Sequence, residues 1–510
     1  MSCKRPITRV KATVNHDTTA CVFPALTSDF LDNSDRLIDN IFADLWKQVG
    51  MKALLQRCGF HKRSGVDVNS VMYCLTMWVW LKSNSVSLFA RDSLRTFCAA
   101  GKDVLYEAMN REDWNWRALH LRVARKALQQ IASPDDATAL VLDDTIKVRS
   151  GKKMPGVSSH FDHATGRHVM GQQVLTLGLS CAKGFVPIDS ELFTGKTNVV
   201  GLPAPFKDGR SIVGVRHRAA LHQTKPDMAR AMITRAQRAG IHAKYLLADA
   251  WFGTKPMITL AEDALLTAIV RMKKNTMKYR HSLYTPDKVV CKEMDVCALY
   301  QSAVRGQWEK VPGQPYQSKT VVVELNLNDP KADTARWIKV RLLFVRGVAD
   351  SDKAQPGKHD WAVFLTTDIN LDPQKMLELY AMRWAIEVYF KESKQHLGFL
   401  TEQARHYACY VASIHLTAIR FCLLVIAKHQ HGASGVAQMR QQIVGNATLI
   451  DFSARLWGCF RALIAAALDE LKPVLHDKAE LVMETIDLHV QRFFAQTLQL
   501  DPLQLRLEAV

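Results

Sequence analysis

The amino-acid sequence predicts a mixed α/β sheet flanked by helices, with an all-helical region before it and a helical region after it. Three patterns carry this expectation. From about 28 to 130 the apolar residues recur at helical spacing, as in Leu37, Ile38, Ile41, Phe42 and Leu45, and again through Val104, Leu105, Ala108 and Met109. From Thr138 onward three β-rich runs are followed by helix, strand, helix and strand, the order of a mixed sheet. A second β-rich stretch then leads into one long amphipathic helix from about Pro373 to His396.

Each element has a local cause. Ser133-Pro134-Asp135-Asp136 supplies turn chemistry between the helical region and the apolar strand Thr138 to Leu142, which places a boundary near residue 135. Arg167 to Ser180 and Phe185 to Phe193 read as strands joined through Cys181-Ala182-Lys183-Gly184, a hairpin signal. Lys225 to Ala239 is a basic helix that stops at Gly240, and Ala243 to Ala248 is a short strand ending at Asp249. Leu266 to Val270 is another strand. Asp143 and Asp249 therefore fall at strand ends, where such sheets place reactive groups. Thr320 to Leu327, Trp337 to Val345 and Trp361 to Thr366 make residues 272–368 a β-rich insertion. Asp372 caps the following helix, with Pro373 at its first position. Helical patterning resumes in the remainder of the chain. The expected organisation is a helical N-terminal region over 1–135, an α/β domain over 136–410, and a helical C-terminal region over 411–510.

Bulk composition narrows the partners. With 67 Lys+Arg against 49 Asp+Glu, the 510-residue chain has a formal charge of +18, which favours a polyanion such as nucleic acid. Its eleven cysteines include no C-x-x-C pair, so a zinc centre and a disulfide framework are not expected, and a reduced cytoplasmic setting is. No signal peptide is apparent at the N-terminus. The apolar run Val71 to Leu81 is too short to span a bilayer and reads as a buried helix, so no membrane partner is expected.

The helix after Pro373 joins charge to chemistry. At 100° per residue, Tyr380, Arg383, Glu387, Lys391 and Lys394 share an arc about 80° wide. Leu379, Met382, Ala385, Ile386, Tyr389, Phe390 and Leu397 form the opposite, apolar side. A buried back thus presents a basic front with one carboxylate in its middle. Two readings fit: a surface helix with i,i+4 ion pairs, or a carboxylate metal ligand among phosphate-binding cations.

The spacing of Tyr380, Arg383, Glu387 and Lys394 is similar to the Tyr-Arg-Glu-Lys signature of the insertion-sequence-four type of DDE transposases. Leu142-Asp143-Asp144-Thr145 resembles that group's first aspartate motif, and Leu246 to Gly253 resembles its second. The resemblance covers roughly Ala139 to Leu400. It implies a ribonuclease-H-like core in which Asp143, Asp249 and Glu387 are both catalytic residues and the ligands of two Mg²⁺ ions, with Mn²⁺ as a substitute. Asp144 competes with Asp143 for the first position. Tyr380, Arg383, Lys391 and Lys394 become DNA-binding residues. The implied activity is cleavage at the ends of a mobile element and strand transfer into target DNA, on double-stranded DNA, by a homodimer at the nucleoid. A hairpin intermediate would need an aromatic side chain to stack an extruded base. Trp251, Trp308, Trp337 and Trp361 are the candidates. A metal-dependent nuclease without strand transfer, and a regulator that only binds DNA, are the competing readings.

Two further clusters have open roles. The loop from Lys147 to His168, with Lys152, Lys153 and Arg167, reads as a mobile phosphate-contacting segment, and its His160 and His163 as solvated. The cluster Arg216-His217-Arg218 reads either as a DNA contact or as the end of a solvated helix.

Overall fold

The computed structural model describes residues 41–497 apart from 82, 99, 134–135, 152, 163–164, 285–288, 329–333, 348–360 and 476–477. The predicted helical spacing at Leu37 and Ile38, together with Lys152 and His163, lies outside the described residues.

Ala139, Leu140, Val141 and Leu142 are wholly buried and open the central strand, β1 (Ala139–Val148). A continuous apolar run fits a strand covered on both faces. Three strands follow in sequence: β2 (Ser158–Asp162), β3 (Arg167–Cys181) and β4 (Gly184–Phe193). Then come β5 (Tyr245–Ala248) and β6 (Thr267–Arg271). Strand β3 is antiparallel to β1 and to β4, whereas β5 is parallel to both β1 and β6. The resulting order β4-β3-β1-β5-β6 is the ribonuclease-H-like arrangement expected from sequence.

The β-rich stretch contributes β7 (Tyr279–Tyr284), β8 (Val289–Met294), β9 (Glu309–Lys310), β10 (Tyr316–Asn326), β11 (Trp337–Gly347) and β12 (Trp361–Thr366). Because β12 pairs antiparallel with β6, these strands extend the same sheet through β11 and β10 to β7 and β8. The insertion therefore grows from β6, the neighbour of the strand that leads into Asp249.

The helices before β1 are α1 (Ile41–Val49), α2 (Met51–Arg57), α3 (Val68–Met77), α4 (Val86–Asp92), α5 (Leu94–Phe97), α6 (Lys102–Met109) and α7 (Trp116–Ile131). All ten residues of α3 are buried, as the apolar run in the sequence predicts. Between the strands lie α8 (Ile212–His222), α9 (Lys225–Arg238), α10 (Lys255–Asp263) and α11 (Val296–Val304). After β12 come α12 (Pro373–Ala381), α13 (Trp384–His396), α14 (Tyr407–Gln430), α15 (Val436–Glu470), α16 (Lys472–Leu475) and α17 (Lys478–Thr497). Helix α14 is long and apolar enough to cross a membrane, but its apolar segment is wholly buried inside the protein, packed on α7 and β4.

Three expectations need correction. The single helix expected from Pro373 to His396 is two, α12 and α13, joined by a tighter turn. There Met382 N–H donates to Leu379 at 3.0 Å, Arg383 N–H to Tyr380 at 3.0 Å and Ile386 N–H to Arg383 at 3.2 Å. The backbone stays helical in sense, with Arg383 at φ −59°, so Arg383 and Glu387 still share a side. The mobile loop expected after Lys147 is partly sheet, because β1 continues past Asp144 to Val148 and β2 adds to the edge of β3. His160 is accordingly buried, with Nε2 2.9 Å from Ser158 Oγ, and not solvated. Burial pushes its pKa down to about 4, with the Lys225 ammonium acting in the same direction. Finally, Arg216 neither faces solvent nor is available to DNA: it is buried against Glu191 at 2.9 Å.

Two buried polar joints tie the helical regions to the sheet. Arg420 on α14 donates to the carbonyls of Leu75, Thr76 (2.9 Å) and Leu397 (2.7 Å), with its guanidinium over the Trp78 ring. It thus satisfies the carbonyl ends of both α3 and α13. Next to it, Gly398 takes φ 72°, and an added Cβ would stand 2.9 Å from Trp78. In the second joint, Arg216 Nη1 lies 2.8 Å from His415 Nε2, His415 Nδ1 lies 3.1 Å from His120 Nδ1, and His120 Nε2 lies 3.0 Å from the Pro187 carbonyl. Only one proton arrangement satisfies the chain. Arg216 donates to His415, His415 donates through Nδ1 to His120, and His120 donates through Nε2 to the carbonyl, so both imidazoles are neutral.

Arg420→Met should lower the unfolding free energy by about 2–4 kcal/mol, by removing the buried donor shared by three carbonyls, in denaturant titrations followed by tryptophan fluorescence. A second expectation concerns pH. Burial depresses His120 to about 4 from an ordinary 6.5, and His415 is depressed for the same reason with the Arg216 charge adding to it. Between those pH values the unfolded chain binds protons that the folded chain refuses, so stability falls as pH drops from 6.5 toward 4. Thermal melts across that window should show the loss, and His120→Gln should reduce it.

Candidate active site

The register of β1 and β5 sets the site. Leu142 pairs with Ala248 in the parallel ladder, so the next residue on each strand, Asp143 and Asp249, emerges at the same level on neighbouring strands. Parallel neighbours are about 4.8 Å apart, so two carboxylates are forced together. Burial, then the nearby Asp249 and Asp144 charges, push the Asp143 carboxyl up to about 7. Asp249 is held in a turn, its Oδ1 accepting from Trp251 N–H at 2.9 Å and Phe252 N–H at 3.3 Å.

Consecutive residues of a strand point to opposite faces, and this separates Asp143 from Asp144. On the first face Arg383, from the turn between α12 and α13, places Nη1 3.1 Å from Asp143 Oδ2 and Nη2 2.5 Å from Glu387 Oε1. On the second, Asp144 accepts from Lys225 Nζ at 2.7 Å and Gln173 Nε2 at 2.5 Å. The two neighbours therefore have different partners, and Asp143 is the one drawn toward Asp249 and Glu387. Burial lowers the Arg383 pKa, but Tyr380, Glu387 and Asp143 outweigh it and hold the guanidinium above its ordinary range.

The structure brings Asp143 beside Asp249 and links Glu387 to Asp143 through Arg383. Among the described residues, no group of three or more His, Cys, Asp or Glu side chains converges closely enough to hold a metal in this geometry. The Arg383 guanidinium lies between Asp143 and Glu387 instead.

The other predicted residues are placed as follows. The Tyr380 ring is half-buried, edge-on to Phe364 at 4.7 Å, and burial raises its pKa. Lys391 and Lys394 are exposed on α13. Lys394 has its pKa lowered by desolvation and by the Lys147 charge nearby, which puts a basic group of β1 beside the helix. Each of the four tryptophans proposed for stacking already has a cation over its ring: Lys225 over Trp251, Arg346 over Trp308, Arg280 over Trp337 and Lys274 over Trp361. Trp361 is also stacked on Tyr300 at 4.0 Å.

Sequence reasoning missed two residues here. Trp384, next to Arg383, is 63% exposed, and its position on the polar side of an amphipathic helix was the available signal. Lys225 is buried at the first position of α9, where the helix dipole disfavours a cation. A lysine immediately after the capping threonine, Thr224, could have marked it.

Comparison with known proteins bears on the same residues. Residues 72–290 match the family described as DDE superfamily endonuclease, a range that includes Asp143 and Asp249. Residues 208–422 match the transposase DDE domain, a range that includes Asp249 and Glu387. No curated protein matches the chain. The two matches overlap on a sheet with this strand order, and both support a DDE endonuclease or transposase domain in this part of the chain.

Proposed function

We propose that the protein is a cut-and-paste transposase that cleaves DNA at the ends of a mobile element and joins the liberated 3′ hydroxyl to target DNA. The observation that carries this reading is the forced pairing of Asp143 with Asp249 on adjacent parallel strands, with Glu387 delivered to the same face by α13. The Tyr380, Arg383, Glu387 and Lys394 spacing supports the insertion-sequence-four type.

The residues fit divalent cations. Their donors are all carboxylate oxygens, which suit Mg²⁺ or Mn²⁺. The Arg383 guanidinium between Asp143 and Glu387 marks a place where positive charge is already stabilised. Asp143, Asp249 and Glu387 would hold two such ions, which supply activation of the attacking oxygen and stabilisation of the leaving oxygen at phosphorus. The chain's own side chains do the rest. Arg383 orients Glu387 and balances the charge of Asp143, and Tyr380, fixed by Phe364, keeps its hydroxyl near Asp249 and Arg271. Lys391 and Lys394, with Lys147, face the DNA strand as phosphate contacts. The exposed ring of Trp384 is the one placed to stack an extruded base if the ends pass through a hairpin.

In this reading the helical N-terminal region over 1–135 recognises the element ends, and the protein works in the cytoplasm at the nucleoid. A homodimer brings two ends together, and α15 supplies a surface for it. Leu449, Phe452, Leu456, Phe460, Leu463 and Ala467, continued by Leu471 and Val474, fall within an arc of about 100°. Leu463 and Val474 are 69% and 75% exposed. The stripe offers roughly 600 Å² per chain, beyond what lone surface apolar residues present. Two copies would bury ~1,200 Å², the lower bound of stable interfaces.

Incubation with Mg²⁺, linear DNA carrying the inverted repeats that flank the gene, and a supercoiled target should give end-to-target joints. Asp249→Ala should reduce cleavage by about 10³-fold or more while binding of the ends persists. EDTA should stop the reaction and Mn²⁺ restore it. Cleavage without joining would favour a stand-alone nuclease, and survival of cleavage in Asp249→Ala would refute the site. Separately, Leu463→Glu should convert a dimer to a monomer in sedimentation-velocity runs and leave the melting temperature within a few degrees.

A further inference from the structure

We infer that Lys225 is a positioning residue that decides which of the adjacent aspartates, Asp143 or Asp144, is presented at the site, and locks the Asp249 turn to the same strand. The inference rests on the carboxylate site proposed above and adds a residue outside it. Its basis is one buried ammonium that touches both halves of the aspartate pair's support.

Lys225 is nearly buried, with its side chain 6% exposed, and its Nζ lies 2.7 Å from Asp144 Oδ2. Gln173, on the paired strand β3, takes the other oxygen of Asp144 at 2.5 Å. With both oxygens engaged on the α9 face, Asp144 cannot swing toward Asp249, and the alternation of β1 leaves Asp143 on the opposite face. The same ammonium sits 4.0 Å from the centre of the Trp251 ring and 5.0 Å from that of Phe193. Trp251 belongs to the turn whose backbone N–H groups fix Asp249 Oδ1. One cation therefore fastens β1 at Asp144 and the β5 turn at Trp251.

Its own placement is held firmly. The Thr224–Asp227 capping box and Pro226 fix the first turn of α9, so Lys225 leaves the helix from a rigid base. A cation at that end of a helix is unfavourable to the dipole, and burying it adds a desolvation cost. Helix stability gives no reason for a lysine here; the carboxylate and the ring do. Without it, Asp144 would be a half-buried carboxylate with a single neutral partner, one residue from Asp143, and both side chains could compete for the position beside Asp249.

The test uses the full chain and MnCl₂ as the probe. Binding is followed by isothermal titration calorimetry, and Mg²⁺-dependent cleavage and thermal melting are measured in parallel on wild type, Lys225→Met, Lys225→Arg, Asp144→Asn and the Lys225→Met/Asp144→Asn double variant. Lys225→Met should raise the Mn²⁺ concentration for half-saturation by about ten-fold, and shift the Mg²⁺ dependence of cleavage with it. Lys225→Arg should recover part of the loss. Because Lys225 acts through Asp144, the double variant should lose no more than Lys225→Met alone. Should Lys225→Met not fold, Lys225→Gln removes the same charge and should show a shift of the same sign, whereas Asp144→Asn, which leaves no second carboxylate to compete, should bind Mn²⁺ close to wild type. Mn²⁺ binding unchanged in the folded Lys225 variants, or additive losses in the double variant, would overturn the inference. A wild-type chain that neither binds Mn²⁺ nor cleaves would instead refute the carboxylate site itself.

Discussion

The parallel register of β1 against β5 is the constraint from which the site follows. It places two carboxylates at one level of adjacent strands, a repulsive arrangement that folding alone would not favour. The chain answers with cations delivered from both faces. Arg383 arrives from the turn between α12 and α13 and contacts Asp143 and Glu387, and Lys225 arrives from α9 and contacts Asp144. The raised carboxyl of Asp143 shows that the compensation is incomplete, since burial and Asp249 still outweigh Arg383 there. Such a residual excess of negative charge is a feature of sites that take up cations.

The surroundings keep that arrangement rigid. Helix α13 is anchored at its carbonyl end by Arg420, which also holds the end of α3, so the helix bearing Glu387 is fixed to the N-terminal helices through one buried guanidinium. On the far side, β4 is tied to α7, α8 and α9 by Asp189 and Glu191, which meet Arg117, Arg216 and Arg235. Burial would raise the Asp189 pKa, but the three guanidinium groups hold it below the ordinary carboxylate range. These buried ion pairs make the helical shell and the sheet one packed body. They explain why the basic sequence contains clusters such as Arg216-His217-Arg218 whose first member never meets solvent.

Much of the fold was legible because its signals are local. The apolar run before Asp143, the hairpin at Cys181 to Gly184, the stop at Gly240 and the cap at Asp372 each depend on a few neighbouring residues, and each appears within a few residues of its expected place. Less legible were features set by distant partners. Helical periodicity alone could not reveal the break at Met382 and Arg383, because the backbone stays helical while its hydrogen bonds tighten. Nor could it reveal the burial of His160, which follows from β2 joining the edge of β3. The tryptophans were read as free candidates, since nothing in a linear chain announces that lysines and arginines far away will cover their rings.

By itself, the sequence determined the strand and helix types, the order Asp143, Asp249, Glu387, and the shared side of Arg383 and Glu387, because period and capping are properties of contiguous residues. Only the tertiary structure decided which of Asp143 and Asp144 faces Asp249, which cations are spent on carboxylates and which remain open to solvent. Those outcomes depend on register between strands and on side chains up to 240 positions apart, as in the pair formed by Arg383 and Asp143. No local pattern encodes a contact of that span; packing selects it.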